Sequence, residues 1–151
     1  MMSTQPAATI TELEVGQTHL AHEAMSELRA TMASHERFVE RVDGELRPNG
    51  YRLVGAFRDQ QEQAVAATGF RIVESLALGR FLYVDDLSTV HRARRQGLAM
   101  QLMSWLVAEG RRLGCGQLHL DSVVGPTRFD AHRFYHAFGM AIYAHHFTSE
   151  L

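Results

Sequence analysis

Leu87-Ser88-Thr89-Val90-His91-Arg92-Ala93-Arg94-Arg95-Gln96-Gly97-Leu98-Ala99 joins a strand-like stretch to the strongest helical pattern in the chain. Upstream, Phe81-Leu82-Tyr83-Val84-Asp85-Asp86-Leu87-Ser88-Thr89 is dense in aromatic and branched residues and reads as a strand. Downstream, Gly97 to Leu113 places Leu98, Leu102, Met103, Trp105 and Leu106 on one broad apolar face and leaves Gln101, Glu109, Arg111 and Arg112 to water. A helix start exposes unpaired backbone N–H groups and the positive end of the helix dipole, so it can hold a phosphate without a dedicated side chain. Gly97 lets the backbone approach closely, Ala99 keeps the next turn narrow, and Arg92, Arg94 and Arg95 add charge-assisted donors. The turn from Arg94 to Ala99 therefore predicts a phosphate-holding segment, with a solvated arginine loop as the alternative for such a run taken alone. Two familiar phosphate loops do not fit: Gly97-Leu98-Ala99 lacks the Gly-Lys-Ser/Thr of a P-loop, and Gly114-Cys115-Gly116 lies after a helix instead of before one.

Outward from this turn, Gly114 ends the long helix and Gln117 to Asp121 supplies another strand, which makes a parallel strand–helix–strand crossover. On the N-terminal side, residues 51 to 89 read as three sequential strands in an antiparallel meander. Tyr51, Leu53, Gly55 and Phe57 share one face of the first, and Gly69 in the second marks a bulge or a close backbone approach. Earlier still come a short strand within Ala7 to Val15, a helix from His19 to Met32 with Thr18 as N-cap, and a second helix begun by Ser34 and closed by Pro48-Asn49-Gly50. Near the C-terminus, Thr127-Arg128-Phe129-Asp130 has the form of a capping box, its helix stops before Gly139, and Met140 to Phe147 reads as a terminal strand. The expected fold is α/β, of mixed α+β character: a single domain over 1–151, with residues 1–8 flexible and a mixed six- or seven-stranded sheet flanked by about four helices.

The chain has 151 residues, enough for one domain with a real core, and its 46% hydrophobic and 21% charged content belongs to the folded class. A formal charge of −2 gives no basic excess of the kind nucleic-acid binders carry. The opening MMSTQPAATI has no basic leader and no apolar run, and nothing later approaches a membrane span, so a soluble cytoplasmic protein is expected. Cys115 alone allows neither an internal disulfide nor a cysteine-cluster metal site.

Arg94-Arg95-Gln96-Gly97-Leu98-Ala99 resembles the R/Q-x-x-G-x-G/A signature of the GNAT superfamily of acyl-CoA N-acyltransferases. Leu87-Ser88-Thr89 stands where the fourth strand of that family splays, and Ala131-His132-Arg133-Phe134-Tyr135-His136-Ala137-Phe138-Gly139-Met140 resembles its final helix-to-strand motif. The resemblance covers most of the chain, although before Gly50 it is only a helical pattern. Where many relatives have a proline shortly after the strand, this chain has His91, which removes stiffness but no required donor.

This resemblance implies an N-acetyltransferase that uses acetyl-CoA as co-substrate. The backbone of Leu87, Ser88 and Thr89 would pair with the pantetheine arm, and the N–H groups of Gln96, Gly97, Leu98 and Ala99, aided by Arg94 and Arg95, would receive the pyrophosphate. Tyr135 falls where the family places a general acid beside the CoA sulfur, with simple packing next to Phe134 and Phe138 as the alternative. Loss of the amine proton through water leaves Asp86 or Glu74 as the candidate carboxylates, and a backbone N–H at Leu87 or Thr89 can steady the carbonyl oxygen. On a regular strand the adjacent Asp85 and Asp86 point to opposite faces.

No nucleophile–base pair suggests a covalent route, so direct transfer in a ternary complex to a primary amine of a small molecule or peptide is expected. A non-enzymatic acyl-CoA binding or sensing module is the alternative, and a partner-binding domain without cofactor a third reading. His132 and His136, four apart on a helix, lack the H-E-x-x-H pattern, so no metal is expected. Neither a nucleic-acid nor a membrane partner is expected, and a homodimer through a terminal strand or sheet edge is compatible with the pattern.

Overall fold

The computed structural model describes residues 7–151, so the expected flexible N-terminus lies outside the described residues up to position 6. Contacts divide the chain into two compact units, Met1–His119 and Leu120–Leu151.

The first unit is built on β1 (Thr9–Leu13), β2 (Arg52–Phe57), β3 (Ala66–Ser75) and β4 (Gly79–Thr89), an antiparallel run joined at its far side by β5 (Gln117–Leu120). The sheet has five strands in the order β1-β2-β3-β4-β5, and the crossover into β5 makes it mixed. The expected six or seven strands are thus corrected to five among the described residues. Leu53 to Ala56 and Ala64 to Phe70 are continuous buried runs, because helices cover both faces of the central strands. Both α1 (His22–Leu28) and α3 (Leu98–Arg112) pack on β3 and β4.

A bulge in β4 breaks the regular alternation. Gly69 pairs with Asp86 but Phe70 pairs with Val84, so Asp85 is the extra residue. Opposite the bulge, a Cβ built at Gly69 would stand 1.7 Å from the hydroxyl oxygen of Tyr51, so the tyrosine side chain lies directly against the glycine backbone. The sequence signal at Gly69 was therefore both things it suggested, a bulge and a close approach.

The expected long helix from His19 to Met32 is instead a 3-10 turn (Thr18–Ala21), α1 and a second 3-10 turn (Ala30–Met32). Thr18 does not cap it. Its hydroxyl donates to Asp43 Oδ1 at 2.6 Å and accepts from Arg47 Nη2 at 3.0 Å, so tertiary hydrogen bonds take the side chain away from the helix start. Ser34 does cap α2 (His35–Glu40), accepting from the Arg37 N–H at 3.3 Å. The chain then widens into a π turn at Arg41–Leu46 and stops at Gly50, whose left-handed φ of 91° closes the last turn.

Glu109, expected in water on α3, is buried. It accepts from Arg112 and from Arg52, whose guanidinium also makes two 2.7 Å bonds to Glu12, and this network ties α3 to β1 and β2. The Arg112 hydrogen bonds, and then those of Arg52, hold the Glu109 carboxyl down at about 2 against the cost of its burial.

In the second unit, a 3-10 turn at Pro126–Arg128 leads into α4 (Phe129–Phe138), which ends at Gly139 with φ 102°. The capping box does not form: α4 starts after Arg128 with no side-chain cap, because Thr127 is already inside the preceding turn, and Asp130 pairs instead with Arg133. Residues 140–151 carry no regular structure, so the expected strand from Met140 to Phe147 is corrected; alternation alone does not make a strand when no ladder takes its backbone groups. Among the described residues no helix is long and apolar enough to cross a membrane.

Candidate active site

Both parts of the candidate site in the first unit are organised by one strand, β4. Its last residues, Leu87, Ser88 and Thr89, pair on one edge with Thr68, Ala67 and Ala66 of β3. Along the other edge β5 is only four residues long against eleven in β4, and it enters beside Arg80, where Gly116 N–H donates to the Arg80 carbonyl at 2.9 Å. That contact lies at the end of β4 remote from Thr89.

After Val90 the chain makes a short turn at His91–Ala93 and arrives at Arg95 and Gly97, both with left-handed φ, 60° and 78°. Gly97 is the N-cap of α3, and the first bond of the helical ladder runs from Gln101 N–H to the Gly97 carbonyl at 3.1 Å. No side chain caps this helix and no acid sits in its first turn, so the N–H groups of Leu98, Ala99 and Met100 point out of the helix start. A Cβ added at Gly97 would meet nothing within 4 Å, which leaves the approach open.

Gln96 is fixed from two sides, accepting from Arg58 Nη2 at 3.1 Å and donating to the Arg92 carbonyl at 3.3 Å. Arg94 donates to the Thr89 carbonyl at 3.3 Å and lies 3.7 Å from Glu27 of α1, which also accepts the His91 N–H at 2.9 Å. Arg92 is ion-paired with Glu23 of the same helix, so it braces the turn. Arg95, exposed, has no such bond among the described residues and is the cation free to meet an anion.

The bulge at Asp85 brings both carboxylates of β4 to one cleft, which corrects the opposite-face expectation for Asp85 and Asp86. Asp86 accepts from Tyr51 Oη at 2.8 Å on one oxygen and from Arg29 Nε at 2.8 Å on the other. Arg29 also reaches the Asp85 carbonyl at 3.1 Å, and the Asp85 carboxylate is gripped by Arg71 through bonds of 2.8 and 2.6 Å. Burial, then the neighbouring Asp86 charge, pushes the Tyr51 phenol well above its ordinary value, so it stays a donor. Two hollows of about 340 and 290 Å³ meet at Arg29, Leu46, Tyr51 and Asp86.

Glu74 is not brought to this cleft. It sits exposed near the β3–β4 turn, paired with Arg80 at 2.9 Å, so its proposed role in proton removal is set aside. Tyr135 belongs to the second unit, in mid-α4, with its ring 5.6 Å from that of Phe134; burial raises the phenol above its ordinary value. There His132 contacts Ser122 and the Val123 carbonyl, each at 3.1 Å, and His146 lies 3.4 Å from Asp121. Among the described residues no three histidine, cysteine or carboxylate side chains converge as a metal site.

Sequence reasoning passed over Tyr51, Arg29 and Arg71. For Tyr51 a signal existed: Leu53 pairs with Gly69, so Tyr51 is the diagonal neighbour of a side-chain-free position on the same face.

The model of the acetyltransferase (GNAT) family matches residues 17–140. The chain belongs to this family. It is 31% identical over 111 residues to an uncharacterised N-acetyltransferase, YhdJ, of Bacillus subtilis, a match covering 74% of this chain and 75% of that one. Its fold is similar to a ribosomal-protein-alanine N-acetyltransferase from Brucella melitensis (TM-score 0.80, 18% identity, 96% of this chain and 99% of the other). It is also similar to glucosamine-6-phosphate N-acetyltransferase from Arabidopsis thaliana (TM-score 0.75, 19% identity, 96% and 99%). The chain is a GNAT-type acetyltransferase dependent on acetyl-CoA. The uncapped start of α3, the open approach at Gly97 and the unengaged Arg95 suit the coenzyme's phosphates.

Proposed function

We propose that this acetyltransferase N-acetylates a primary amine by direct transfer, with the amine docked at Asp86 and the phosphates of acetyl-CoA at the start of α3. The observation that carries the reading is the layout of β4. Asp86 opens into a cleft, and the next three residues run to the anion-binding turn, so one rigid strand spaces the two ends of the reaction.

Acetyl-CoA supplies an activated acyl group as a thioester. On this chain, the N–H groups from Gln96 to Ala99 with Arg94 and Arg95 hold its pyrophosphate, and the edge of Leu87–Thr89 away from β3, where the Thr89 carbonyl also accepts from Arg94, pairs with the pantetheine amides. Asp86 attracts the ammonium form of the acceptor and takes its proton through a water. Tyr51 and Arg29 fix the orientation of the carboxylate, each leaving lone pairs for that task. A Leu87 or Thr89 N–H steadies the carbonyl oxygen, and in the second unit burial keeps the Tyr135 phenol protonated, the state an acid for a departing thiolate must hold.

The test is Asp86→Asn, which keeps size and hydrogen-bonding reach but removes the charge. It lowers kcat/KM for the amine by about 10²-fold or more while acetyl-CoA affinity stays within twofold. Wild-type kcat/KM in Asp86→Asn removes Asp86 from the chemistry.

A further inference from the structure

The two hollows that meet at Asp86 differ in their walls. One carries Arg71, Asp85 and Asn49; the other is lined by Met25, Met32, Phe38, Val42 and Leu46, with Thr31 and Arg41 as its polar members beyond the shared residues. Met25, Phe38 and Val42 are buried, so this second lobe is part of the packed interface of α1 with the α2–π-turn segment and not a chance surface dent. Its volume, about 290 Å³, lies just below the range in which drug-sized molecules are held, roughly 300–1,000 Å³.

The charges around the cleft come in matched pairs: Arg29 with Asp86, Arg71 with Asp85, and Arg41 with Glu45. One ammonium arriving at Asp86 completes a triad with Arg29 and Tyr51. A second ammonium on the same molecule would face the Met25, Met32, Phe38 and Val42 side chains, and leaving a charge unmatched against carbon and sulfur walls is costly. Beyond the shared residues only Thr31 and Arg41 offer polar side-chain groups in this lobe, too few to replace the water around several sugar hydroxyls. An aryl or branched alkyl group meets two methionines, whose flexible thioethers adapt to its shape and contact ring edges favourably.

From this we infer that the acceptor is a monoamine with a compact apolar body, an arylalkyl or branched alkyl primary amine, seated with its amino group on Asp86 and its body between Met32 and Phe38. This substrate class rests on the reading of function above. Polyamines and amino sugars are disfavoured by the same walls. Met32, half-buried on the lobe, is the specificity-determining position that can be changed without opening the core.

The experiment measures CoA release, with product masses, at saturating acetyl-CoA for phenethylamine, isoamylamine, spermidine, glucosamine and an Nα-blocked lysine. Burial of a side-chain-sized apolar group is worth a preference of about 10- to 100-fold in kcat/KM, so phenethylamine and isoamylamine lead the panel by that factor. Met32→Glu raises KM for phenethylamine at least about tenfold, while acetyl-CoA affinity is unchanged and Met32→Leu behaves as wild type. Preference for spermidine, glucosamine or blocked lysine overturns the substrate class and leaves amine acetylation standing. Failure to acetylate any amine, with acetyl-CoA bound, overturns the functional reading and the class together. If Met32→Glu does not fold, the ranking of the five amines by the wild-type enzyme decides alone, and an unchanged phenethylamine KM in folded Met32→Glu removes the lobe from the site.

Discussion

Replacing Gly69 by alanine puts one methyl group where the Tyr51 ring already lies. The added Cβ would be 1.7 Å from the hydroxyl oxygen, 2.1 Å from Cζ and 2.5 Å from Cε2. Ordinary contacts need about 3.5 Å, so the ring must retreat by roughly 2 Å. Tyr51 is 5% exposed, so it cannot retreat without disturbing its neighbours, and retreat breaks its 2.8 Å bond to Asp86. A hydrogen bond to a charged group contributes about 1.5–3 kcal/mol and overpacking costs about 1–3, which together predict a loss of about 3–5 kcal/mol. Urea unfolding reads this as a midpoint lower by about 1.5–2.5 M at a slope near 2 kcal/mol/M. In a Tyr51→Ala background the ring is gone, and Gly69→Ala then costs under about 1 kcal/mol, so the two substitutions are strongly coupled. Gly69 does not occupy a left-handed conformation, so alanine carries no backbone penalty of its own there. The reasoning is refuted if Gly69→Ala has wild-type stability, or if it costs as much without the Tyr51 ring as with it.

Gly97→Val forces a branched side chain into a left-handed conformation at the mouth of the anion site, and weakens acetyl-CoA binding by about tenfold or more in calorimetric titration. Unchanged affinity would count against the turn. Tyr135→Phe lowers turnover by about 10²-fold and leaves acetyl-CoA affinity alone, checked by steady-state kinetics beside direct binding. The Glu109 carboxyl is depressed to about 2 in the folded state, so its contribution is fully present above about pH 4.5 and disappears as pH falls toward 2. Glu109→Gln therefore costs about 2 kcal/mol at pH 7, a figure reduced by the exposure of Arg112, and the gap to wild type closes in urea melts between pH 5 and pH 2. A gap that stays constant over that window would exclude the ion-pair network as its source.

What was legible in the sequence is what local pattern controls. The strand–turn–α3 segment, the β2–β4 meander, the Ser34 cap and the stops at Gly50 and Gly139 each depend on neighbours along the chain, and each is where the residues place it. The readings that failed had distant partners. Thr18 is a good cap by type, but Asp43 and Arg47 claim its hydroxyl. Glu109 looks wet on a helical wheel, but Arg52 on β2 turns it inward. Asp85 and Asp86 alternate on any regular strand, but the register shift opposite Gly69, set by pairing with β3, breaks the alternation.

The candidate site divides along the same line. Its phosphate half is contiguous and carries a recognisable signature. Its cleft half joins Arg29, Tyr51 and Asp86 across the fold, through bonds 57 and 35 positions apart in sequence, and no spacing rule announces such a trio. Glu74 shares the chemistry of Asp86 but not its place, because it stands at the far end of the β3–β4 hairpin.

The most direct measurement is a titration of the isotopically labelled protein with acetyl-CoA, followed through its backbone amide resonances. Gln96, Gly97, Leu98 and Ala99 should move first and furthest, with Leu87 to Thr89 moving in parallel as the edge of β4 gains a partner. Saturation of the coenzyme signal while those amides stay still, or no binding of acetyl-CoA at all, would contradict the placement of the phosphates at the start of α3.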